Sequence, residues 1–262
     1  MKVRDDDLAQ QSAKVKERAR TRVLLRQGLL VGAAIFALVL PPMQPCAAMA
    51  RVSVPAAADS ARRYGHLADF GDARASPAAR QVAHWALFTG DNQGRSVVIV
   101  DKKRAHAFVF DPEGRLLGDA PVLLGSASGD HTVPGVGDKP IAQVLASERT
   151  TPAGRFVAEL GMSTSGEDVV WVDFDAAVSM HRVRPWVKAE RRLERLASPS
   201  PADNRISYGC INLPRQFYEG VLSPAVRATG AVVYVLPEAS TPRQVFGSYD
   251  IPHGDVLPLF RK

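Results

Sequence analysis

From residue 95 onward the chain alternates short apolar runs with polar turns. Ser96–Val100 is an apolar, β-branched run, Asp101–Arg104 a polar turn, and Ala105–Phe110 a second run closed by Asp111-Pro-Glu-Gly114. Leu116-Leu117 and Pro121–Leu124 continue the pattern, and residues 125–140 form a loop rich in Gly, Ser, Asp and Pro. Arg155–Leu160, Val169–Phe174, Ala177–Met180 and Ala231–Leu236 supply further strands. Short strands of this kind, bounded by turn residues, predict a mainly β sandwich or barrel. Helical spacing occurs in three places. Pro77–Thr89 has proline in its first turn and Val82, Trp85 and Leu87 or Phe88 as inner-face positions. Trp186–Ala197 sets Val187, Leu193 and Leu196 among Lys, Glu and Arg, which predicts an exposed amphipathic helix with those three residues inward. Pro214–Ala228 predicts a helix ending before Gly230.

The first fifty residues have a different pattern. A charged stretch with Arg18, Arg20, Arg22 and Arg26 leads into the uncharged apolar run 28–40, then Pro41-Pro42 and Ala48-Met49-Ala50. This is the layout of an export signal with a small-residue cleavage site. The run is short of the roughly 20 residues that span a bilayer. An uncleaved anchor is the alternative, and would be the only membrane contact. Either way the rest of the chain is expected outside the cytoplasm, in the periplasm or cell envelope. The expected organisation is a signal over 1–50, a linker with the short helix over 51–94, the β domain over 95–238 and a tail over 239–262.

That division changes the reading of charge. The chain carries 33 Lys and Arg against 27 Asp and Glu, a net +6. Residues 1–50 hold eight basic and four acidic residues, so +4 of the +6 lies there and about +2 remains. With no zinc-finger spacing, RNA-binding motif or dense basic stripe, nucleic acid is not an expected partner. None of the six histidines forms HxH, HExxH or a Cys/His cluster, so neither a metal nor another cofactor is expected.

The chemistry centres on Cys210. The only other cysteine, Cys46, lies in the expected signal, which leaves the exported domain one thiol and no internal disulfide. A lone thiol in an oxidising compartment is open to oxidation. It is either a small packed hydrophobe in a plain turn or a nucleophile. Ser207-Tyr208-Gly209-Cys210 follows a polar loop and precedes Ile211-Asn212-Leu213, which sets the thiol at a bend where Gly209 permits unusual backbone angles. A nucleophilic thiol needs a base. His181, at the end of the run Ala177–Met180, stands where a strand-end side chain can reach a neighbouring loop. His106 alternates with apolar residues and reads as structural, and His84 falls on the short helix. Gly125-Ser-Ala-Ser-Gly129 resembles a nucleophile elbow but has Ala127 where serine is required.

Taken in order, these motifs resemble the catalytic domain of the bacterial L,D-transpeptidases, over about Arg95 to Glu238. Ser207-Tyr208-Gly209-Cys210-Ile211-Asn212 is similar at five of six places to the family's Ser-His-Gly-Cys, apolar residue, Arg or Asn. Met180-His181-Arg182 stands where the family has a strand-end histidine, and Thr151-Pro-Ala-Gly-Arg-Phe156 matches its Thr-Pro-x-Gly-x-Phe. The resemblance implies an L,D-transpeptidase-like β-sandwich with short helices and one helical insertion before the nucleophile motif. It implies Cys210 as nucleophile, His181 as general base and then acid, and the Arg182 carbonyl as the group that orients the imidazole. Ser207, Tyr208, Gly209 and Arg182 would support the motif and oxyanion. Asn212, Arg191, Arg192 and Arg195 would bind substrate. The implied partner is the peptidoglycan stem peptide, whose terminal D-alanine is exchanged through a thioester, with a second stem or a wall-linked protein as acceptor. Tyr208 in place of the family's second histidine, Arg182 in place of glycine, and a longer His181–Ser207 gap depart from the pattern. Arg182 is expected to crowd the entrance, and the extra segment to place arginines at the cleft. An L,D-carboxypeptidase using water, and a non-catalytic wall-binding protein, remain as alternatives.

Overall fold

A computed structural model describes residues 65–252. The expected export signal lies outside them. Ten strands form in chain order: β1 (Ser96–Asp101), β2 (His106–Phe110), β3 (Leu116–Pro121), β4 (Leu124–Gly125), β5 (Gly154–Met162), β6 (Asp168–Asp173), β7 (Val178–Arg182), β8 (Arg205–Ser207), β9 (Ile211–Leu213) and β10 (Ala231–Val235). Eight join one sheet in the order β3-β2-β1-β10-β5-β6-β7-β9, and β4 pairs with β8.

The sheet folds over itself at β5. The first half of this strand pairs with β10, with Ala158 opposite Ala231. The second half, Glu159 to Met162, pairs with β6. The two halves of the sheet therefore face each other across one core. Val98 and Val100 of β1, Val233 and Val235 of β10, Val170 and Val172 of β6, and Met180 and Ile211 of β7 and β9 meet there. The chain leaving β3 then closes most of the remaining gap, because Leu123 exchanges two backbone hydrogen bonds with Asn212 of β9, each 2.9 Å. The result is a mainly β, nearly closed sandwich, as the alternation predicts.

The central strands are apolar on both faces because both are covered. In β1 the residues alternate: Val98 and Val100 enter the sandwich core, while Val97 and Ile99 join Phe108, Phe110, Val232 and Tyr234 in a second core. That outer core is roofed by α1 (Pro77–Thr89), whose Ala79, Val82, Ala83, Trp85, Ala86 and Leu87 are buried. Period-2 alternation with neither face polar is the signature of a strand between two layers. Ser76 caps α1 by accepting the Ala79 N–H. Phe70 packs beside Phe108 and Phe110 in the same cluster, so the segment before α1 is part of the packing.

Helical segments at the other face follow expectation less closely. The predicted helix over Pro214–Ala228 forms as α3 (Arg215–Phe217), a π-helical stretch Tyr218–Leu222 and α4 (Ser223–Thr229). A short α5 (Pro242–Phe246) follows β10. The predicted helix over Trp186–Ala197 does not form as one piece. It divides into a 3₁₀ turn, Lys188–Glu190, and α2 (Arg192–Ala197), because Arg191 adopts φ 49°, in the left-handed region. Only Leu196 of the three expected inner residues is buried, against Leu123 and Val183. Val187 and Leu193 are exposed. With a break at Arg191 the three no longer share one helical face, which is why the periodicity misleads.

One polar cluster ties the loop after β4 to the end of β10. Lys102 is buried, and its Nζ donates to the Gly129 carbonyl (2.5 Å), the Thr151 carbonyl (3.0 Å) and Asp130 Oδ1 (3.2 Å). Asp130 also accepts the backbone N–H groups of Glu238, Ala239 and Ser240. Burial pushes its carboxyl up, but these donors and Lys102 pull it well below the usual carboxylate range. Arg205 and Glu238 complete the cluster. Removing one partner of a buried pair strands the other. Lys102→Met is therefore expected to lower the unfolding free energy by about 3–5 kcal/mol in urea titrations. A loss under about 1 kcal/mol would show that the cluster is solvated.

Candidate active site

Parallel pairing of β7 with β9 brings the distant motifs together. Met180 lies opposite Ile211, His181 opposite Asn212 and Arg182 opposite Leu213. Cys210 immediately precedes β9, so it falls beside Ser179, with Sγ 3.7 Å from Ser179 Oγ and 3.6 Å from the Ala177 carbonyl oxygen. Ala177 holds φ 54°, a conformation costly for a residue with a Cβ, found here next to the thiol.

The loop that carries Cys210 is fixed from beneath. Ser207 Oγ donates to the Cys210 carbonyl at 2.6 Å and accepts the Gly209 N–H at 3.1 Å. Gly209 adopts φ 128°, which a side chain would oppose. The buried Thr151 hydroxyl donates to the Gly209 carbonyl (2.8 Å) and accepts the Gly125 N–H (2.9 Å). Gly125 is required there, since a Cβ would sit 2.2 Å from the Arg149 carbonyl oxygen. This is how the Thr-Pro segment and the Gly125 turn serve a motif some sixty to eighty residues further along.

His181 is buried, and its Nδ1 lies 2.7 Å from the Arg182 carbonyl oxygen. A carbonyl only accepts, so Nδ1 carries a proton, and in the neutral ring Nε2 keeps its lone pair. Burial of the Cys210 sulfur pushes its pKa up. The hydrogen bond and charge of His181, together with the Ser179 N–H and hydroxyl, outweigh that and bring it down to about 7. The residue is nevertheless half-exposed, so the thiol is reachable.

The other expected site residues divide. Asn212 is fully buried at the centre, with Nδ2 3.3 Å from His181 Nε2 and 3.4 Å from the Cys210 carbonyl oxygen. Tyr208 is exposed, with the Arg149 guanidinium 4.0 Å from its ring centroid. Arg192 reaches Asn212 Oδ1 at 2.5 Å. Arg191 pairs with Glu194 instead, and Arg195 donates to the carbonyls of Glu190 and Asp203. Both are spent inside their own segment, so the expected row of free arginines at the cleft is corrected to Arg192 alone, itself bonded to Glu190 and Asn212. Arg182 does not crowd the entrance. Its guanidinium binds Asp168 (2.8 Å) and Glu219 (2.7 Å) and stacks on Tyr218, because adjacent strand residues point to opposite faces. There it lines a separate cavity of about 320 Å³ with Met162, Glu167, Asp168, Arg215 and Glu219. The Gly209 N–H, held by Ser207, supports the loop rather than an oxyanion.

Ser179 and Thr151 were not expected as site residues. Ser179 had a legible signal, since it stands two residues before His181 and so shares its strand face. Among the described residues no group of three or more His, Cys, Asp or Glu could hold a metal ion. No helix among them is long and apolar enough to cross a membrane.

No protein-family model matches the chain, and no curated protein matches it. Solved structures do match, among them several L,D-transpeptidases. The catalytic domain of an E. faecium L,D-transpeptidase is 16% identical, covering 55% of this chain and 98% of that one, with a TM-score of 0.32. An L,D-transpeptidase from Mycobacterium tuberculosis is 18% identical over 53% of this chain and 57% of its own, with a TM-score of 0.33. One from Mycobacterium smegmatis is 17% identical over 54% and 58%, with a TM-score of 0.32. The chain thus spans nearly all of the first and under three fifths of the other two.

The thiol's environment has a direct consequence. The rate of Cys210 alkylation by iodoacetamide should rise with pH around a midpoint near 7, because the thiolate is the reactive form. In His181→Ala the midpoint should move up by at least about one unit, towards that of an unperturbed thiol. An unchanged midpoint would remove His181 from the site.

Proposed function

We propose that the chain is a cysteine acyltransferase of the L,D-transpeptidase type, acting on peptidoglycan stem peptides outside the cytoplasm. The observation that carries this is the pairing of a reachable Cys210, its pKa lowered to about 7, with an imidazole whose Nδ1–H is held by the Arg182 carbonyl. A thiol, a base and an orienting acceptor are the parts that acyl transfer through a covalent intermediate needs.

In this reading Cys210 Sγ attacks the carbonyl carbon of the amide between the third, diamino-acid residue of a tetrapeptide stem and its terminal D-alanine. His181 Nε2 takes the thiol proton and delivers it to the departing nitrogen. The C–N bond breaks, D-alanine leaves as its amine, and a thioester joins Cys210 to the stem. An acceptor amine from a second stem then attacks the thioester, losing its proton through His181. A new amide forms and the thiol is restored. Splitting one amide exchange into two steps gives the first a better nucleophile, the thiolate, and the second a better leaving group, the same thiolate. The ring of the buried histidine is already oriented by the Arg182 carbonyl.

The test is mass analysis of purified muropeptides incubated with the full chain. Cross-linked dimers, with one D-alanine released per bond, are expected. Cys210→Ala should lower release by at least about 10⁴-fold while leaving the fold intact. Release without cross-links would make the enzyme a hydrolase. Release by folded Cys210→Ala at the wild-type rate would overturn the assignment.

A further inference from the structure

Arg192 lies in the long segment between the two proposed catalytic residues. Of Arg191, Arg192 and Arg195 it is the one that reaches a residue of the site. Its Nε donates to Glu190 at 2.6 Å, which fixes the guanidinium, and its Nη1 donates to Asn212 Oδ1 at 2.5 Å. A guanidinium has donors only, so the Asn212 amide must present its oxygen to Arg192 and its nitrogen to the opposite side. On that side stand two acceptors, His181 Nε2 and the Cys210 carbonyl oxygen. The amide cannot shift much. Asn212 is fully buried, and its backbone is bonded to Leu123 in both directions and paired with β7.

The His181 ring is therefore bracketed. Nδ1–H donates to the Arg182 carbonyl, and Nε2 receives an N–H from Asn212. Both contacts suit the neutral ring. An imidazolium would carry a second proton on Nε2, pointing at the Asn212 N–H and, beyond it, at the Arg192 charge. Nε2 is also the atom that must take the thiol proton, so Asn212 competes with Cys210 for a single lone pair. The groups facing the ring are Cys210, Ser179 and Asn212, with Arg192 and its partner Glu190 behind the amide.

We infer that Arg192 is a positioning residue for the proposed base: acting through Asn212, it holds an amide N–H against His181 Nε2 and so opposes transfer of the Cys210 proton to that nitrogen. This deepens the acyltransferase reading and rests on it for the role of His181. A thiol is slower to oxidise than a thiolate, so a contact that opposes this transfer also protects the sulfur.

The test reads the thiol itself, with iodoacetamide as the probe and the full chain as the protein. Arg192→Leu removes the donor that fixes and polarises the amide, so alkylation at pH 6 should rise about threefold over wild type, as expected for a midpoint lowered by roughly half a unit. Asn212→Leu should raise it at least as much, and adding Arg192→Leu to Asn212→Leu should change nothing further. Arg192→Lys, which keeps a charged donor, should restore most of the wild-type profile. An unchanged rate in Arg192→Leu would overturn the inference, as would an equal effect of Arg192→Leu with and without Asn212. If Arg192→Leu does not fold, Asn212→Leu decides, and no rise at pH 6 overturns the inference. Because no peptidoglycan is used, an absence of muropeptide activity in the wild type would sink the functional reading and leave this result standing.

Discussion

The register between β7 and β9 is the constraint on which the site depends. These two strands are thirty residues apart in the chain and run parallel, so no hairpin sets their alignment. Side chains do. Met180 and Ile211 enter the sandwich core together, and this puts His181 opposite Asn212 and Cys210 beside Ser179. A slip of one residue would turn every side chain of β9 to the other face. Cys210 would then lose its place beside Ser179, and Ile211 and Leu213 their burial. Leu123, bonded to Asn212 from the opposite side, pins the same register by backbone contacts alone.

Two further devices hold the loop that carries the thiol. One is neutral: the Thr151 hydroxyl spans the Gly125 turn and the Gly209 carbonyl at the floor of the motif. The other is charged: Lys102, Asp130, Glu238 and Arg205 lock the loop after β4 against the end of β10, with Lys102 donating to the Thr151 carbonyl as well. The two share Thr151. A network of buried, fully bonded groups of this kind gives a rigid frame at a cost in desolvation. The thiol and imidazole above it can then be oriented by single hydrogen bonds rather than by a deep cavity.

Much of this was legible from residues. The strands were, because β-branched runs between polar turns have one reading. Both-face burial of β1, β2 and β10 shows in their unbroken apolar runs, although what covers the outer face does not: α1 was expected as a helix within a linker, and it roofs a second core. His181 at a strand end and Cys210 at a bend could be paired through the motifs. What local sequence hides is partnership across the fold. Lys102 reads as one residue of a polar turn, yet it is buried on Asp130. Val187 and Leu193 have helical spacing, yet the left-handed turn at Arg191 sends them outwards. Arg191, Arg192 and Arg195 look alike in the chain. Only their partners separate them, and those partners are set by where α2 docks through Leu196.

In the proposed reaction Cys210 Sγ is the atom to which the stem is transferred. It is tested most directly by mixing the full chain with a purified tetrapeptide stem, quenching in acid within the first turnover, and mapping the adduct by peptide mass. The expected adduct is a stem lacking its terminal D-alanine, joined to the peptide that carries Cys210 and released by hydroxylamine as a thioester would be. An adduct on any other residue, or turnover with no adduct on Cys210 at any quench time, would contradict it.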